Sequence, residues 1–383
     1  MKLGIISDCI HYKMSDGSVG TENHILLKQL QALCSYYTET LICCPFEEYN
    51  PSKVLSFYTD KNIHFTAVPV VGGDSLKAKL KLINTIATWW KAYKKVDTFS
   101  DIIYQRFPNN LNLPAFFYFG LKRKKAFATY TGTWTRYAAE PSTYRFQRWL
   151  LTNFFQGPVW VYSVKVSTNK RILQGISPSY SASDWEQETL QVQERIERIE
   201  REGLPVFRLI TVGKLIGYKN QVGIVKSCIL LKKQGFTFSL TIVGEGPARN
   251  ELEDLITVGG LQVEIKLVGK KDGSELRELY RQHDFAVQAP FSEGFGKVPV
   301  EAFFHGVIPV INNISMAGFM TGQEERGFLF DASNEKNLAD TLIRIKTNQL
   351  PRMIAQGRSF AKGHTLEGWA GDYYKTVTNY FAN

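Results

Sequence analysis

Cysteine is scarce in this chain of 383 residues: Cys9, Cys34, Cys43, Cys44 and Cys228, an odd number with no C-x-x-C pair. That argues against a disulfide framework and a cysteine-held zinc site, and points to a reducing, cytoplasmic setting. No apolar run approaches the roughly 20 residues that a bilayer-spanning helix needs. Residues Met1 to Asp8 read as a buried strand entering a loop rather than as a signal peptide. Low-complexity segments and short-period repeats are absent, which excludes a repeat array. Acidic residues are few in one region: residues 51–150 hold 16 Lys and Arg against 5 Asp and Glu, so that region alone supplies +11 beside a formal net charge of +10 for the whole chain. Such a patch suits an anionic partner, whether membrane headgroups, a phosphorylated acceptor or nucleic acid; a merely soluble lysine face explains it too.

What is present is the composition of a soluble globular protein, 44% hydrophobic and 21% charged, with length for two domains. Short apolar, β-branched runs alternate with helical patterns through both halves, the mark of parallel sheets covered by helices. In the first half the expected strands are Leu3 to Ser7, Thr40 to Cys44, His64 to Val70, Ile102 to Arg106, Ala126 to Thr131 and Val159 to Ser163. In the second they are Arg208 to Val212, Ser239 to Val243, Glu264 to Val268, Phe285 to Ala289, Val307 to Ile311 and Phe328 to Phe330. The expected fold class is therefore α/β, with two Rossmann-like domains, 1–185 and 203–364. Between them Glu186 to Glu202 alternates Glu and Arg and reads as an exposed helix. Ligands of open α/β sheets bind at the carboxyl ends of the strands, so two such domains face to face would create one deep cleft.

The most constrained stretch is Ser292 to Glu301, with Glu293 and Glu301 eight positions apart around Gly294-Phe295-Gly296 and Pro299. Glycines let backbone approach a ligand closely. Pro299 suits the first position of a helix, which would aim N–H groups around Lys297 and Val298 at a phosphate. Glu293 then falls in the loop and Glu301 on the first turn. Two glutamates near a helix start are also ordinary surface carboxylates; the flanking strands and the glycine turn favour a binding site. Three further strands run into glycine: Val212-Gly213-Lys214 with Lys219 beyond, Val243-Gly244, and Val268-Gly269-Lys270. Lys214 and Lys219 would balance a diphosphate as mobile point charges. Asp16 to His24 ends at a second expected helix start, with Gly20 in the loop.

Together these residues resemble glycosyltransferase family 4, the retaining nucleotide-sugar transferases of the GT-B fold. The likeness covers nearly the whole chain and is most specific from about 206 to 331, in Val212 to Lys219, Ile242 to Pro247, Val263 to Gly269 and Ser292 to Val310. Val19 to His24 is similar to the family's N-terminal G-G-x-E-x-H loop, and residues 365–383 to the C-terminal helix that crosses back to the first domain. The resemblance implies that Glu301 binds ribose hydroxyls, that Glu293 with Gly294, Phe295 and Gly296 orients the donor sugar, and that Lys214 and Lys219 neutralise the leaving diphosphate. It implies that Gly20 approaches the phosphates and that Gly269-Lys270 rims the base, with Gly213 and Gly244 in the donor site. The donor would be a UDP- or GDP-type nucleotide sugar, with no other cofactor and no metal, because the chain has no D-x-D and cations already serve the diphosphate.

Three departures accompany the likeness. Val19 replaces the first glycine of the family pair, Thr131 stands where the family often has histidine, and Ser315 to Met320 lacks the usual G-G-x-x-E. Thr131 cannot titrate near neutral pH. On the acceptor side, residues 75–96 place Leu76, Leu80, Ile83, Ala87 and Trp90 on one helical face amid lysines, as in an interfacial helix or in a domain helix buried on its sheet. Arg106, Thr131, Trp134 and Arg136 are the acceptor-pocket candidates. The expected function is transfer of a sugar to a glycan or lipid-linked acceptor in cell-surface polysaccharide synthesis, at the inner face of an anionic membrane. The alternatives are a GT-B-type epimerase or phosphorylase, and a nucleic-acid-binding protein using the basic half. No nucleic-acid module is recognisable, so nucleic acid is not an expected partner.

Overall fold

The computed structural model describes residues 1–51, 53–70, 76–136, 140–164 and 169–382. They form two compact units, one made of Met1–Ser179 with Leu366–Asn383, the other of Tyr180–Thr365.

The first unit holds β1 (Leu3–Ile6), β2 (His11–Lys13), β3 (Val19–Thr21), β4 (Thr40–Glu47), β5 (Ser56–Phe57), β6 (Ile63–Val68), β7 (Ile102–Phe107), β8 (Ala126–Thr133), β9 (Val159–Tyr162) and β10 (Ile172–Gln174). Its parallel part runs β6-β4-β1-β7-β8-β9-β10. β2, β3 and β5 extend the edge as a small ribbon with antiparallel pairing. Strands β1 and β9 are buried along their whole length, as expected where helices cover both faces of a parallel sheet. The helix Leu366–Ala382 belongs here: Trp369, Tyr373 and Val377 join the core, and the Tyr373 ring stacks on Trp160 at 3.8 Å.

The second unit is one six-stranded parallel sheet of β11 (Phe207–Val212), β12 (Phe238–Val243), β13 (Ile265–Leu267), β14 (Phe285–Gln288), β15 (Ile308–Asn312) and β16 (Phe328–Phe330). Its order, β13-β12-β11-β14-β15-β16, reverses direction between β11 and β14. That switch point is where open α/β sheets leave a crevice for ligands at their carboxyl ends. Side-chain caps start several helices: Asn220 accepts from Gly223 N–H, Asn334 from Lys336 N–H, and Asp272 forms a capping box with Glu275.

One expectation needs correction, and so does the face assigned to one helix. The helix Thr189–Glu202 is not an exposed connector: Val192, Arg195 and Ile199 form a buried stripe on the second unit. Its arginines share Asp284 with Arg208; Arg198 and Arg208 reach the carboxylate at 2.7 and 2.8 Å. Burial alone would raise the Asp284 carboxyl, but Arg208, Arg195 and Arg198 outweigh it and hold it below its usual value. Charge alternation thus reports a buried ion network here, and the units divide at 179/180. The helix Leu76–Phe99 packs on β1, β4 and β6, with Trp89, Tyr93 and Val96 buried. Ala87 and Trp90, expected on the same face as Leu76, Leu80 and Ile83, are exposed; the side chains of those three lie outside the described residues. No helix among the described residues is long and apolar enough to cross a membrane.

Candidate donor site in the second unit

At the carboxyl ends of β11, β12 and β13 the chain turns through Gly213, Gly244 and Gly269. Gly213 N–H donates to Val243 at 3.0 Å and Gly244 N–H to Gly269 at 2.9 Å, so the ladder continues past the strands. Gly244 has φ +145°, and a Cβ there would lie 1.9 Å from the Gly213 carbonyl oxygen. Only glycine lets these two strand ends lie so close.

From there the loop is pinned by buried Leu215, whose N–H bonds Glu245, and Gln221 donates to the Lys214 carbonyl at 3.0 Å. Lys214 is exposed, and its ammonium has no hydrogen bond or ion pair among the described residues. The short turn Gly217–Lys219 aims Lys219 elsewhere, onto the Glu293 carboxylate. Phe291 N–H donates to the Tyr218 carbonyl at 2.8 Å, so the loop after β14 is fastened to the loop after β11. Across the switch point, the pairing of Lys219 with Glu293 joins the two segments that sequence reasoning picked out separately.

The Glu293 loop is held from the other side by Asn312, which donates to Pro290 at 2.8 Å, and by Ser315, which donates to the Gly294 carbonyl at 2.8 Å. Gly296, at φ +73°, opens the helix Lys297–Phe304, which has no side-chain cap. Pro299 is therefore the third helical residue and not the first, because the left-handed glycine starts the helix two residues earlier. Phe295 is buried, Val298 half-buried, and Lys270, past Gly269, exposed.

Glu301 departs furthest from expectation. It sits on the second turn and is only 8% exposed, with the Tyr280 hydroxyl donating to Oε2 at 3.4 Å. Tyr280 is fully buried and its ring stacks on His305 at 5.1 Å. His305 in turn meets Glu188 at 3.0 Å and the Tyr180 hydroxyl at 3.1 Å. Burial, and then the Glu301 charge, raise the Tyr280 phenol, so it stays a protonated donor. Sequence reasoning missed Tyr280, His305 and Glu188. The available signal was His305 four residues after Glu301, on the same helical face.

Burial would raise the Glu188 carboxyl, but His305 and Arg281 outweigh it and bring it from 4.5 to about 2. A carboxyl depressed in the folded state contributes stability that is complete above its unfolded pKa and lost as pH falls through the folded one. The urea midpoint should therefore drop between pH 4.5 and about 2, and Glu188→Gln should flatten that part of the curve.

In the first unit the candidates scatter. Gly20 is not in a loop but in β3, paired with β2 and β5, and a Cβ there would meet the Ser56 carbonyl oxygen at 2.9 Å. Ribbon packing accounts for that glycine. Asn23 caps the following helix by accepting from Leu26 N–H at 3.1 Å. Thr131 donates to the Phe107 carbonyl at 3.0 Å, and Arg136 is exposed. Trp134 is 8% exposed, with its ring edge-on to Tyr130. Arg106 lies near the end of β7; burial works against its charge, and Tyr104, Tyr162 and Asp8 outweigh that to hold its pKa above the ordinary value. Among the described residues no group of three His, Cys, Asp or Glu could hold a metal ion.

Residues 192–360 match the family model described as Glycosyl transferases group 1. The UDP-N-acetylglucosamine–peptide N-acetylglucosaminyltransferase GtfA subunit of Limosilactobacillus reuteri is 30% identical over 126 residues, 33% of this chain and 23% of that protein. The amylovoran biosynthesis glycosyltransferase AmsK of Erwinia amylovora is 26% identical over 148 residues, 37% of this chain and 36% of that one. The chain spans between 23% and 37% of the length of these curated relatives and of a glycosyltransferase of Methanocaldococcus jannaschii. Solved structures are similar over the whole chain: Anabaena HepE in complex with UDP and glucose has a TM-score of 0.68 at 14% identity, covering 99% of this chain and 100% of that one. Sucrose-phosphate synthase of Thermosynechococcus elongatus has a TM-score of 0.71 at 16% identity, covering 100% and 99%. The two α/β units thus have the GT-B fold of these solved structures, and residues 192–360 match the glycosyl transferases group 1 model.

Proposed function

We propose that this chain is a retaining glycosyltransferase of family 4 type, moving a sugar from a UDP- or GDP-type nucleotide donor to a glycan or lipid-linked acceptor. Its place of work is the cytoplasmic face of an anionic membrane, in cell-surface polysaccharide synthesis. The observation that carries the reading is the Lys219–Glu293 pair beside the Gly294-Phe295-Gly296 turn, at the switch point of the second sheet. Glu293 holds Lys219 as an anion would. An arriving diphosphate takes Lys219 and Lys214, and the released Glu293 carboxylate turns to the sugar hydroxyls. As the anomeric C–O bond breaks, negative charge grows on the diphosphate. Ammonium groups and the backbone N–H groups of Gly296 to Val298 aimed there stabilise the transition state, by roughly 3–4 kcal/mol for one well-placed donor. Glu301, steadied by Tyr280, accepts from the ribose hydroxyls, and Gly213, Gly244 and Lys270 border the base.

Thermal shift against a panel of nucleoside diphosphates tests this. A ligand at 100 times its Kd adds about 2.7 kcal/mol of stability. One of UDP or GDP should raise Tm, and Glu301→Ala should remove the shift. A panel without any shift, or an undiminished shift in the variant, removes the proposed donor site.

A further inference from the structure

The helix Ser142–Asn153 of the first unit carries a row of aromatic rings on its outer side. Phe146 and Trp149 are 43% and 50% exposed and stack on each other at 5.8 Å, and Phe154, 52% exposed, meets Trp149 edge-on at 5.0 Å. The inner side of the helix is satisfied without them: Leu150 and Leu151 are buried, and Gln147 accepts from the Asn109 N–H. The row continues to a neighbouring helix, Asn112–Leu121, because Phe116 packs on Phe155 and on Phe117. Phe117 and Leu121 are exposed at 45% and 82%.

Basic residues outnumber acidic ones along this stretch of sequence. From 102 to 183 the sequence holds 11 Lys and Arg and a single acid, Glu140. Glu140 is itself taken by Arg148, at 2.6 Å. Arg145 and Arg123 are exposed, Lys122 is paired with Asp97 at 3.1 Å, and Asn169 donates to the Thr152 carbonyl, which sets exposed Lys170 beside the end of the aromatic helix. Half-exposed rings beside exposed cations such as Arg145 and Lys170 match one kind of partner surface, a broad anionic one with an apolar layer beneath it. A nucleic acid would offer the charge but needs rings free to receive bases, and here Phe146, Trp149 and Phe154 are packed against one another.

We propose that Phe146, Trp149 and Phe154 form a membrane-docking surface that seats the first unit on anionic lipid headgroups, with Arg145 and Lys170 contacting the phosphates. This moves the expected membrane contact away from the helix Leu76–Phe99, whose exposed Trp90 ring already packs on Tyr118 at 4.7 Å. It rests on the proposed membrane location, but the surface itself is independent of the donor site.

The test is co-sedimentation of the full chain with phosphatidylcholine vesicles, with and without phosphatidylglycerol, beside the Tm shift with UDP and GDP. The wild type should bind only the anionic vesicles. Trp149→Ala with Phe154→Ala should weaken that binding roughly tenfold, because the inserted apolar area is lost. Arg145→Glu, with the rings intact, should weaken it about tenfold through charge reversal. Both variants should keep the wild-type Tm and nucleotide response. Undiminished vesicle binding in both, equal binding to neutral vesicles, or no binding by the wild type overturns the docking surface. Vesicle binding without a nucleotide shift would leave the surface standing and remove the donor site instead.

Discussion

Lys219→Ala should lower turnover roughly 10²- to 10³-fold, the usual effect of deleting one preorganised donor to a developing negative charge. The variant should stay folded, because the Lys219 ammonium is part-exposed and pairs with the Glu293 carboxylate, which water can solvate in its place. Steady-state transfer assays with the nucleotide sugar that gives the Tm shift would read the change. The informative comparison is with Glu293→Gln and the double variant. If Glu293 and Lys219 act as one unit, the double variant loses little beyond either single one. A Lys219→Ala enzyme turning over at the wild-type rate would show that leaving-group charge is handled elsewhere, and the mechanism proposed for this site would fall.

Gly244→Ala should be the most damaging single methyl group in the second unit. The added Cβ would sit 1.9 Å from the Gly213 carbonyl oxygen, which belongs to the backbone and cannot swing aside. Relief requires the ends of β11 and β12 to part, which breaks the Gly213 N–H bond to Val243 and displaces the loop that carries Lys214 and Lys219. A loss of about 3 kcal/mol or more in urea unfolding is expected, in the range of severe core lesions. Gly235→Ala is the control, since Gly235 also has a positive φ, +72°, but nothing lies within 4 Å of its added Cβ. Strain alone should cost it about 1–2 kcal/mol. Equal losses in both variants would mean that backbone strain, and not the approach to Gly213, sets the cost.

The parallel strands were legible because strands buried on both faces read as continuous apolar runs, as in Phe285 to Gln288 or Ile308 to Asn312. Strands β2, β3, β5 and β10, two or three residues long, were not. The glycine-terminated strands announced where the loops of the second unit turn. The pairing of Lys219 with Glu293, 74 positions apart in sequence, was not foreseeable from spacing, because it depends on the Phe291–Tyr218 backbone bond. Glu301 shows the limit in another way. Its position in the motif was plain, yet its burial follows from Tyr280 and His305, whose arrangement requires two helices and a stacked ring pair. Helix faces failed where charge was taken as exposure: Arg195 is 6% exposed, since Asp284 and three backbone carbonyls receive its guanidinium.

The closing helix bears on how this molecule can be dissected. Trp369, Tyr373 and Val377 sit among the core side chains of a unit whose remaining sequence ended nearly two hundred positions earlier. A recombinant fragment stopping at Ser179 would leave a greasy trough over β9 and beside the helix His24–Cys34, and should come out of the ribosome sticky. Grafting residues 366–383 onto that fragment through a short flexible tether, or supplying them as a separate peptide, would be the minimum needed to obtain the first half alone in soluble form.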